Sequence, residues 1–374
     1  MAEQPNATVT YGVINETTEF EHRVAITPDI VTRLRKSAVQ CIIEAGAGLA
    51  AHYTDDDYRA AGAEVADKAT VLTRSDCIAT VSRLPLADLD QVREGTWVIG
   101  MLQSFTDDAY IQELNKRALV GIAMERLPRQ LSAAQSMDEM TSQNSVMGYQ
   151  AVLVAAQAYG SFLPMMTTAA GTIRPAKVLV LGAGIAGLQA IGTAKRLGAR
   201  VSAYDVRPAA REEVKSLGAD FLELGIDLSQ GQGEGGYARA LSEEERQAQQ
   251  AAVDRQAAQF DIVITTAQVP GRKPPVLLTA AGVQAMKRGS VIVDCAASEF
   301  GGNVEGSSIG TTITPQGVTL IGAPYLASEV ATTASALLAR NLADVCAHMV
   351  RDGKLSIDAD DEIDQALVVT EQSN

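Results

Sequence analysis

The chain has 374 residues, 47% hydrophobic and 20% charged. That is a globular composition, and it excludes disordered, collagenous and low-complexity classes. The length holds two domains or one large one, and a net charge of −14 argues against nucleic acid as a partner. The four cysteines, Cys41, Cys77, Cys295 and Cys346, have no paired spacing and fit a reducing compartment better than a disulfide framework. His22, His52 and His348 share no ligand spacing, so no metal site is expected. The start, MAEQPNATVTYG, has no basic and apolar signal-peptide regions, and no apolar run reaches about 18–20 residues. The chain itself is therefore not expected to span a membrane.

In chain order, Thr8–Ile14 reads as a strand, Pro28–Lys36 as a helix with Thr27 as N-cap, and Val39–Glu44 as a strand before a Gly-rich turn. Cys77–Val81, Trp97–Gly100 and Ala118–Ala123 are further short apolar runs, separated by polar helical segments such as Asp107–Arg117. Met140–Tyr159 is predicted as one long helix and Gly171–Pro175 as a break. A second alternating series follows: strands at Lys177–Leu181, Val201–Asp205, near Phe221–Leu222, and at Asp261–Thr266, Ser290–Asp294 and Val318–Ile321. Helices are predicted at Ile185–Leu197 and Ala209–Leu217, a mobile loop at Gly225–Gly236, and a long helix at Ala327–Met349. The acidic tail from Asp352 reads as peripheral. Strands alternating with helices predict parallel sheets covered on both faces.

The strongest motif is VLVLGAGIAGLQAIGTAKRLGARVSAYDVR, Val178 to Arg207. A strand runs into Gly182-Ala183-Gly184-Ile185-Ala186-Gly187, and a helix follows. Gly182 permits the tight turn, Gly184 clears space for a pyrophosphate, and Gly187 lets the helix pack on the strand. Asp205 closes the next strand, 23 residues after Gly182, where a ribose 2′-hydroxyl is bound and a 2′-phosphate repelled. The motif with its full context predicts dinucleotide binding, NAD(H) over NADP(H); the alternative is an unliganded glycine turn of an α/β fold. Arg207 flanks the adenosine or is solvated.

Three weaker signals follow. Arg129, Gln135 and Asp138, with Ser136 and Met137 between them, combine a guanidinium, an amide and a carboxylate in a segment placed where a cleft should open. An ordinary polar loop with a capping Asp is the alternative reading. Gly235-Gly236-Tyr237-Ala238 suggests a lid carrying an aromatic ring, or merely a flexible connection. Arg23, in EHRVAITP, either binds a carboxylate or stabilises the helix start nearby, and His22 reads as a surface histidine.

RVAITP, AAQSMD, the glycine motif, GGYA and ITTAQVPGRKPPVLLT together make the chain similar to the NAD(H)-binding components of proton-translocating NAD(P) transhydrogenases, relatives of alanine dehydrogenase. The resemblance covers most of the chain and weakens after about Glu305. It implies an α/β fold of two Rossmann-like, doubly wound parallel-sheet domains with a cleft between them, joined by long helices. The expected domains are 1–142 with 328–374, and an NAD(H)-binding domain at 143–327. By resemblance, Arg129, Gln135 and Asp138 hold the nicotinamide nucleotide for hydride transfer, with one extra residue between Arg129 and Gln135. Ile185, Asp205, Val206, Arg207, Gly236 and Gln249 match nucleotide contacts, Tyr237 matches the loop tyrosine, and Gln268 stands at a contact position usually apolar. Implied partners are an NADP(H)-binding component, a membrane-spanning component and a second copy of the chain. Those partners would hold it on the cytoplasmic face of the membrane. Glu329 replaces the family's usual arginine, which leaves the docking surface open.

Two other readings compete. An alanine-dehydrogenase-like oxidoreductase needs a general acid–base group beside the nicotinamide. The family's lysine and histidine positions fall at Thr80 and Gln103, and only Arg23 remains. Thr and Gln cannot shuttle a proton near neutral pH. A non-catalytic NAD(H)-sensing protein would need neither Gln135 nor Tyr237. Direct hydride transfer between two nicotinamides needs apposition, not acid–base groups.

Overall fold

In the computed structural model, which describes residues 9–224, 243–268 and 273–371, the chain forms two large, mainly parallel sheets. They belong to two units, Met1–Gln143 with Ala327–Asn374, and Asn144–Leu326.

The first unit begins β1 (Val9–Val13), α1 (Pro28–Lys36), β2 (Val39–Glu44), α2 (Asp55–Ala61), β3 (Glu64–Ala66), α3 (Lys68–Arg74) and β4 (Cys77–Ala79). It continues α4 (Leu86–Leu89), β5 (Trp97–Gly100), α5 (Asp108–Lys116) and β6 (Val120–Ala123). The strand order β3-β2-β1-β4-β5-β6 is parallel throughout, and the winding order reverses between β1 and β4. Alternate side chains feed two cores, Tyr11, Val13, Cys41 and Ile43 on one face and Ile42, Ile78 and Val98 on the other. That two-sided burial is why these strands are apolar runs rather than alternating ones. Thr27 does precede α1, but its hydroxyl donates to the Asp29 carboxylate at 2.5 Å and caps no backbone N–H. Pro28 at the helix start supplies the fixed φ instead.

Helix α6 (Glu139–Ala158) contains the boundary between the units. The second unit then carries an exposed hairpin of β7 (Met166–Thr168) and β8 (Gly171–Ile173), where the sequence suggested only a break. Next come β9 (Lys177–Leu181), α7 (Ile185–Arg196), β10 (Arg200–Tyr204), α8 (Ala210–Ser216) and β11 (Asp220–Phe221). After the expected loop, which lies outside the described residues, follow α9 (Glu243–Ala257), β12 (Ile262–Thr265) and α10 (Ala280–Ala285). β13 (Val291–Asp294), β14 (Gly310–Ile313) and β15 (Thr319–Gly322) complete the sheet. Its order is β11-β10-β9-β12-β13-β15-β14, parallel except for the exposed edge strand β14.

The chain returns to the first unit through α11 (Ala331–Met349), after a short 3-10 turn at Ser328–Val330. The hairpin β16 (Val350–Arg351) and β17 (Lys354–Leu355) leads to α12 (Glu362–Leu367). The expected peripheral tail is corrected here. Ile363 and Leu367 are buried, Val369 N–H donates to the Gly121 carbonyl at 2.9 Å, and Gly121 N–H donates to Thr370 Oγ1 at 3.0 Å. The tail thus covers the edge left open by β6, and its backbone gains partners that a free tail would lack.

Within the second unit α6 and α7 meet at Gly148, where an added Cβ would lie 2.1 Å from the Ala186 carbonyl oxygen. That neighbour is backbone and cannot swing aside. Gly148→Ala is expected to lower stability by about 1–3 kcal/mol, the usual cost of overpacking. Urea unfolding checks it, and an unchanged midpoint would refute the close approach.

Candidate functional site

The glycine motif forms the turn between β9 and α7. Gly182 has φ +98°, open to glycine at little cost. Its N–H donates to the Tyr204 carbonyl at 2.9 Å, and its own carbonyl accepts from Thr266 Oγ1 at 3.0 Å. A Cβ on Gly187 would lie 1.9 Å from the Gly182 oxygen, so only glycine lets α7 start this close to β9. Gly184, the N-cap of α7, is exposed, and a Cβ there would meet open space. Ile185 follows, half-buried, as the first residue of the helix. The first amides of α7 have no intrahelical acceptor and face solvent-side space beyond the strand end, an anion-binding arrangement.

Asp205 stands just past β10. Its Oδ2 accepts from Ala183 N–H at 2.8 Å, and its Oδ1 accepts from Arg207 N–H at 2.8 Å and Arg207 Nε at 3.0 Å. Arg207 Nη2 reaches Asp205 Oδ2 at 3.2 Å and the Ala183 carbonyl at 3.1 Å. Arg207 thus folds back onto Asp205 and the Ala183 carbonyl, with 27% of its side chain still exposed. The carboxylate holds its guanidinium and raises its pKa. Val206, half-buried, packs on the core beneath. Gln268, at the end of the segment after β12, donates through Nε2 to the Cys295 carbonyl at 2.8 Å, and Gln249 is buried on α9. Gly236 and Tyr237 lie outside the described residues.

In the first unit, Arg129 lies half-buried in a turn, Gln135 and Ser136 are exposed on a 3-10 helix, and Met137 is buried beneath them. The Ser136 carbonyl accepts from Asn341 Nδ2 at 2.7 Å, which fixes the segment against α11. Asp138 caps α6: Oδ1 accepts from Thr141 N–H at 2.9 Å and Oδ2 from Thr141 Oγ1 at 2.5 Å. The capping role is therefore real, and the exposed amide is Gln135. Arg23 is engaged from within, its Nε and Nη2 donating to the two Glu21 oxygens at 2.8 and 2.6 Å and its Nη1 to Gln143 Oε1 at 2.9 Å. Thr80 is buried against the Ile99 carbonyl, and Gln103 is exposed at φ +58°.

Sequence reasoning missed a set of carboxylates at the strand ends of the first sheet. Glu16 accepts from Val81 and Ser82 N–H at 2.7 and 2.9 Å, and Glu125 from Leu102 and Ser104 N–H at 3.1 and 2.6 Å. Glu139, the first residue of α6, is 3% exposed and its Oε2 has no hydrogen bond. Burial lifts its pKa to about 8 against the pull of Arg23, with Glu125, Glu16 and Glu21 pushing the same way as burial. Nothing in an isolated Asp-Glu pair at a helix start signals such burial.

Two outcomes follow for these groups. Gly187→Ala should unfold at lower urea, whereas Gly184→Ala should keep wild-type stability yet weaken NADH binding about tenfold or more, read by calorimetric titration. Equal NADH affinity in Gly184→Ala would remove the phosphate from that turn. For Glu139, the folded state holds a proton that the unfolded state releases above about pH 4.5. Its contribution is complete at low pH and is lost as pH rises through about 8, with a slope of at most ~1.4 kcal/mol per unit. Glu139→Gln should flatten the pH dependence of unfolding between pH 5 and 8 (roughly the window between the two states' pKa values). Parallel curves for the two proteins would show Glu139 ionised in the fold.

Residues 151–374 match the family model described as Alanine dehydrogenase/PNT, C-terminal domain, and residues 12–147 match Alanine dehydrogenase/PNT, N-terminal domain. An alpha-subunit chain of the NAD(P) transhydrogenase of Rickettsia prowazekii is 40% identical over 96% of this chain and 93% of its own length. The solved transhydrogenase from Sinorhizobium meliloti superposes with a TM-score of 0.85 at 40% identity, covering 96% of this chain and 98% of the other. A solved L-alanine dehydrogenase superposes with a TM-score of 0.75 at 25% identity, covering 92% and 90%. The chain belongs to the alanine dehydrogenase/PNT family.

Proposed function

We propose that this chain is the NAD(H)-binding component of a proton-translocating NAD(P) transhydrogenase, passing hydride directly between its own NAD(H) and NADP(H) on a separate component. The observation that carries nucleotide binding is the open space over Gly184 at the start of α7, beside Asp205 at the end of β10. The transhydrogenase reading rests on similarity to subunits of that name along nearly the whole chain. In this reading the α7 amides take the pyrophosphate, Asp205 takes a ribose hydroxyl, and Ile185, Val206, Arg207, Gln249 and Gln268 line the adenosine side. By resemblance, Gln135, with Arg129, Ser136, Met137 and Asp138, has the role of orienting the nicotinamide, and Gly236 and Tyr237 have the role of nucleotide contacts.

The chemistry fits the residues present. Hydride transfer between two rings moves no proton to the protein, so catalysis is alignment. Thr80 and Gln103 offer no acid–base group, and Arg23 is already held by Glu21, so an amino-acid oxidoreductase has neither its proton shuttle nor a free carboxylate clamp here. Among the described residues no helix is long and apolar enough to cross a membrane. The membrane step accordingly falls to a separate membrane-spanning component, with this chain, as a homodimer, peripheral to it on the cytoplasmic face.

The test mixes the purified chain with the NADP(H)-binding component from the same source, NADPH and a spectrally distinct NAD⁺ analogue. Transfer that disappears when either protein is omitted supports the reading. No transfer despite NADH binding would overturn it. Gln135→Asn should lower turnover by about tenfold or more with nucleotide affinity nearly unchanged, the pattern of a lost orienting contact. Intact turnover would take Gln135 out of the reaction.

A further inference from the structure

A histidine and two aspartates converge in the first unit, away from every group used above. His348 is in the last turn of α11, Asp361 is the N-cap of α12, and Asp364 sits in that helix's first turn. His348 Nε2 lies 3.3 Å from Asp361 Oδ2 and 3.2 Å from Asp364 Oδ1. The Asp364 side chain is 0% exposed, and neither its Oδ1 nor His348 Nε2 makes a hydrogen bond. At these distances the imidazole nitrogen and both carboxylate oxygens are close enough to share one partner, yet Nε2 and Asp364 Oδ1 lack a well-aligned hydrogen bond.

The remaining carboxylate oxygens are already committed. Asp361 Oδ1 accepts from Ile363 and Asp364 N–H at 2.8 and 3.1 Å. Asp364 Oδ2 accepts from Asp358 N–H at 2.8 Å and Arg351 Nη1 at 2.9 Å. Each aspartate is therefore anchored through one oxygen and presents the other to the same point, as ligating carboxylates usually do.

The spacing separates two explanations. An imidazolium shared by two carboxylates would draw nitrogen and oxygen to about 2.7–2.9 Å with the N–H aimed at an acceptor. A tetrahedral ion about 2.0–2.1 Å from nitrogen and 2.0–2.2 Å from oxygen sets them about 3.3 Å apart, with the ion on the ring's in-plane axis. The two nitrogen–oxygen distances, 3.3 and 3.2 Å, match the second spacing. We propose that His348 Nε2, Asp361 Oδ2 and Asp364 Oδ1 bind one zinc-class divalent ion, with water in the fourth position. One imidazole with two carboxylates suits a borderline ion, whereas calcium and magnesium ask for six or more oxygens. His348 and Asp361 keep 23% and 28% of their side chains exposed, which leaves a way in for ion and water. Arg351 offsets part of the negative charge, so the affinity expected is micromolar. The ion ties the end of α11 to the helix that carries the tail onto β6. Ligand spacing in the sequence gave no hint of it, because the β16–β17 hairpin stands between His348 and the aspartates.

The test uses the untagged full chain, stripped with chelator and dialysed, titrated with Zn²⁺ by calorimetry and with Co²⁺ by visible absorption. One ion per chain and the intense bands of tetrahedral Co²⁺ are expected, with Tm raised by about 5 °C at a hundredfold excess of Zn²⁺ over Kd. His348→Gln and Asp361→Asn should each weaken binding by about tenfold or more, while cooperative unfolding shows that both still fold. Should either fail to fold, X-ray absorption on the Zn²⁺-loaded wild type must show one imidazole, oxygen and no sulfur. The proposal fails if the wild type shows no saturable Zn²⁺ or Co²⁺ binding up to millimolar, or if both variants bind as wild type. It also fails if Tm ignores zinc but follows pH through the histidine range in wild type and not in His348→Gln; the trio would then be a protonated-histidine clasp.

Discussion

The second unit is organised by one steric constraint, the contact between Gly187 and the carbonyl of Gly182. A helix that begins against its own strand must leave that strand by the tightest available turn, which is why Gly182 sits at positive φ. Both neighbouring strands then lock the turn. Thr266, after β12, donates to the Gly182 carbonyl, and Tyr204 and Asp205, at the end of β10, take the Gly182 and Ala183 N–H groups. β10 and β12 flank β9 in the sheet, so the turn stands where the winding order reverses. The place where a ligand can approach amides closely is thus the place where the backbone is held from both sides.

Charge at that turn is balanced before any ligand arrives. Asp205 would repel phosphate, yet it is paired with Arg207, whose backbone and side chain both donate to it. A ribose hydroxyl can replace the longest of these bonds, Nη2 to Oδ2 at 3.2 Å, without unpairing the carboxylate. An exchange of one donor for another at a half-buried pair costs little, since such pairs contribute on the order of 1 kcal/mol or less. The pair therefore keeps the loop in shape and still leaves the acid available to a hydroxyl.

Much of this was legible in the residues because local rules decided it. Glycines at 182, 184 and 187 and the acid at 205 report steric and electrostatic needs within one strand–turn–helix–strand unit. What was missed depended on distant contacts. β3 and β14 are short edge strands, and α9 has few apolar residues, so none carries a strong period. The tail looked peripheral because it is acidic, with seven Asp and Glu residues against one Lys from Asp352 onward, but Ile363 and Leu367 sit one helical turn apart and bury together. Glu139 and the His348, Asp361 and Asp364 trio are invisible until the fold brings their neighbours in. Asp138 was legible in both its readings, and the structure shows the cap.

The two sheets share the same start of their winding order, and they differ in what the backbone amides at their strand ends bind. At the strand ends of the first sheet, backbone N–H groups of Asn15, Val81, Ser82, Leu102 and Ser104 are all taken by the chain's own carboxylates, Glu44, Glu16 and Glu125. Those acids occupy the amides an anionic ligand would need; burial pushes Glu16 up to about 7, so it acts mainly by holding its two amides, while the ionised acids also repel a pyrophosphate within a Debye length. In the second sheet Asp205 accepts from the Ala183 and Arg207 N–H groups and is neutralised by the Arg207 guanidinium, while Gly184 leaves the start of α7 open. In the proposed reading the dinucleotide therefore goes to the second unit, where the start of α7 is open, and not to the first, where the loop amides are already taken. The difference lies in a few carboxylates that satisfy amides, not in the architecture of either sheet.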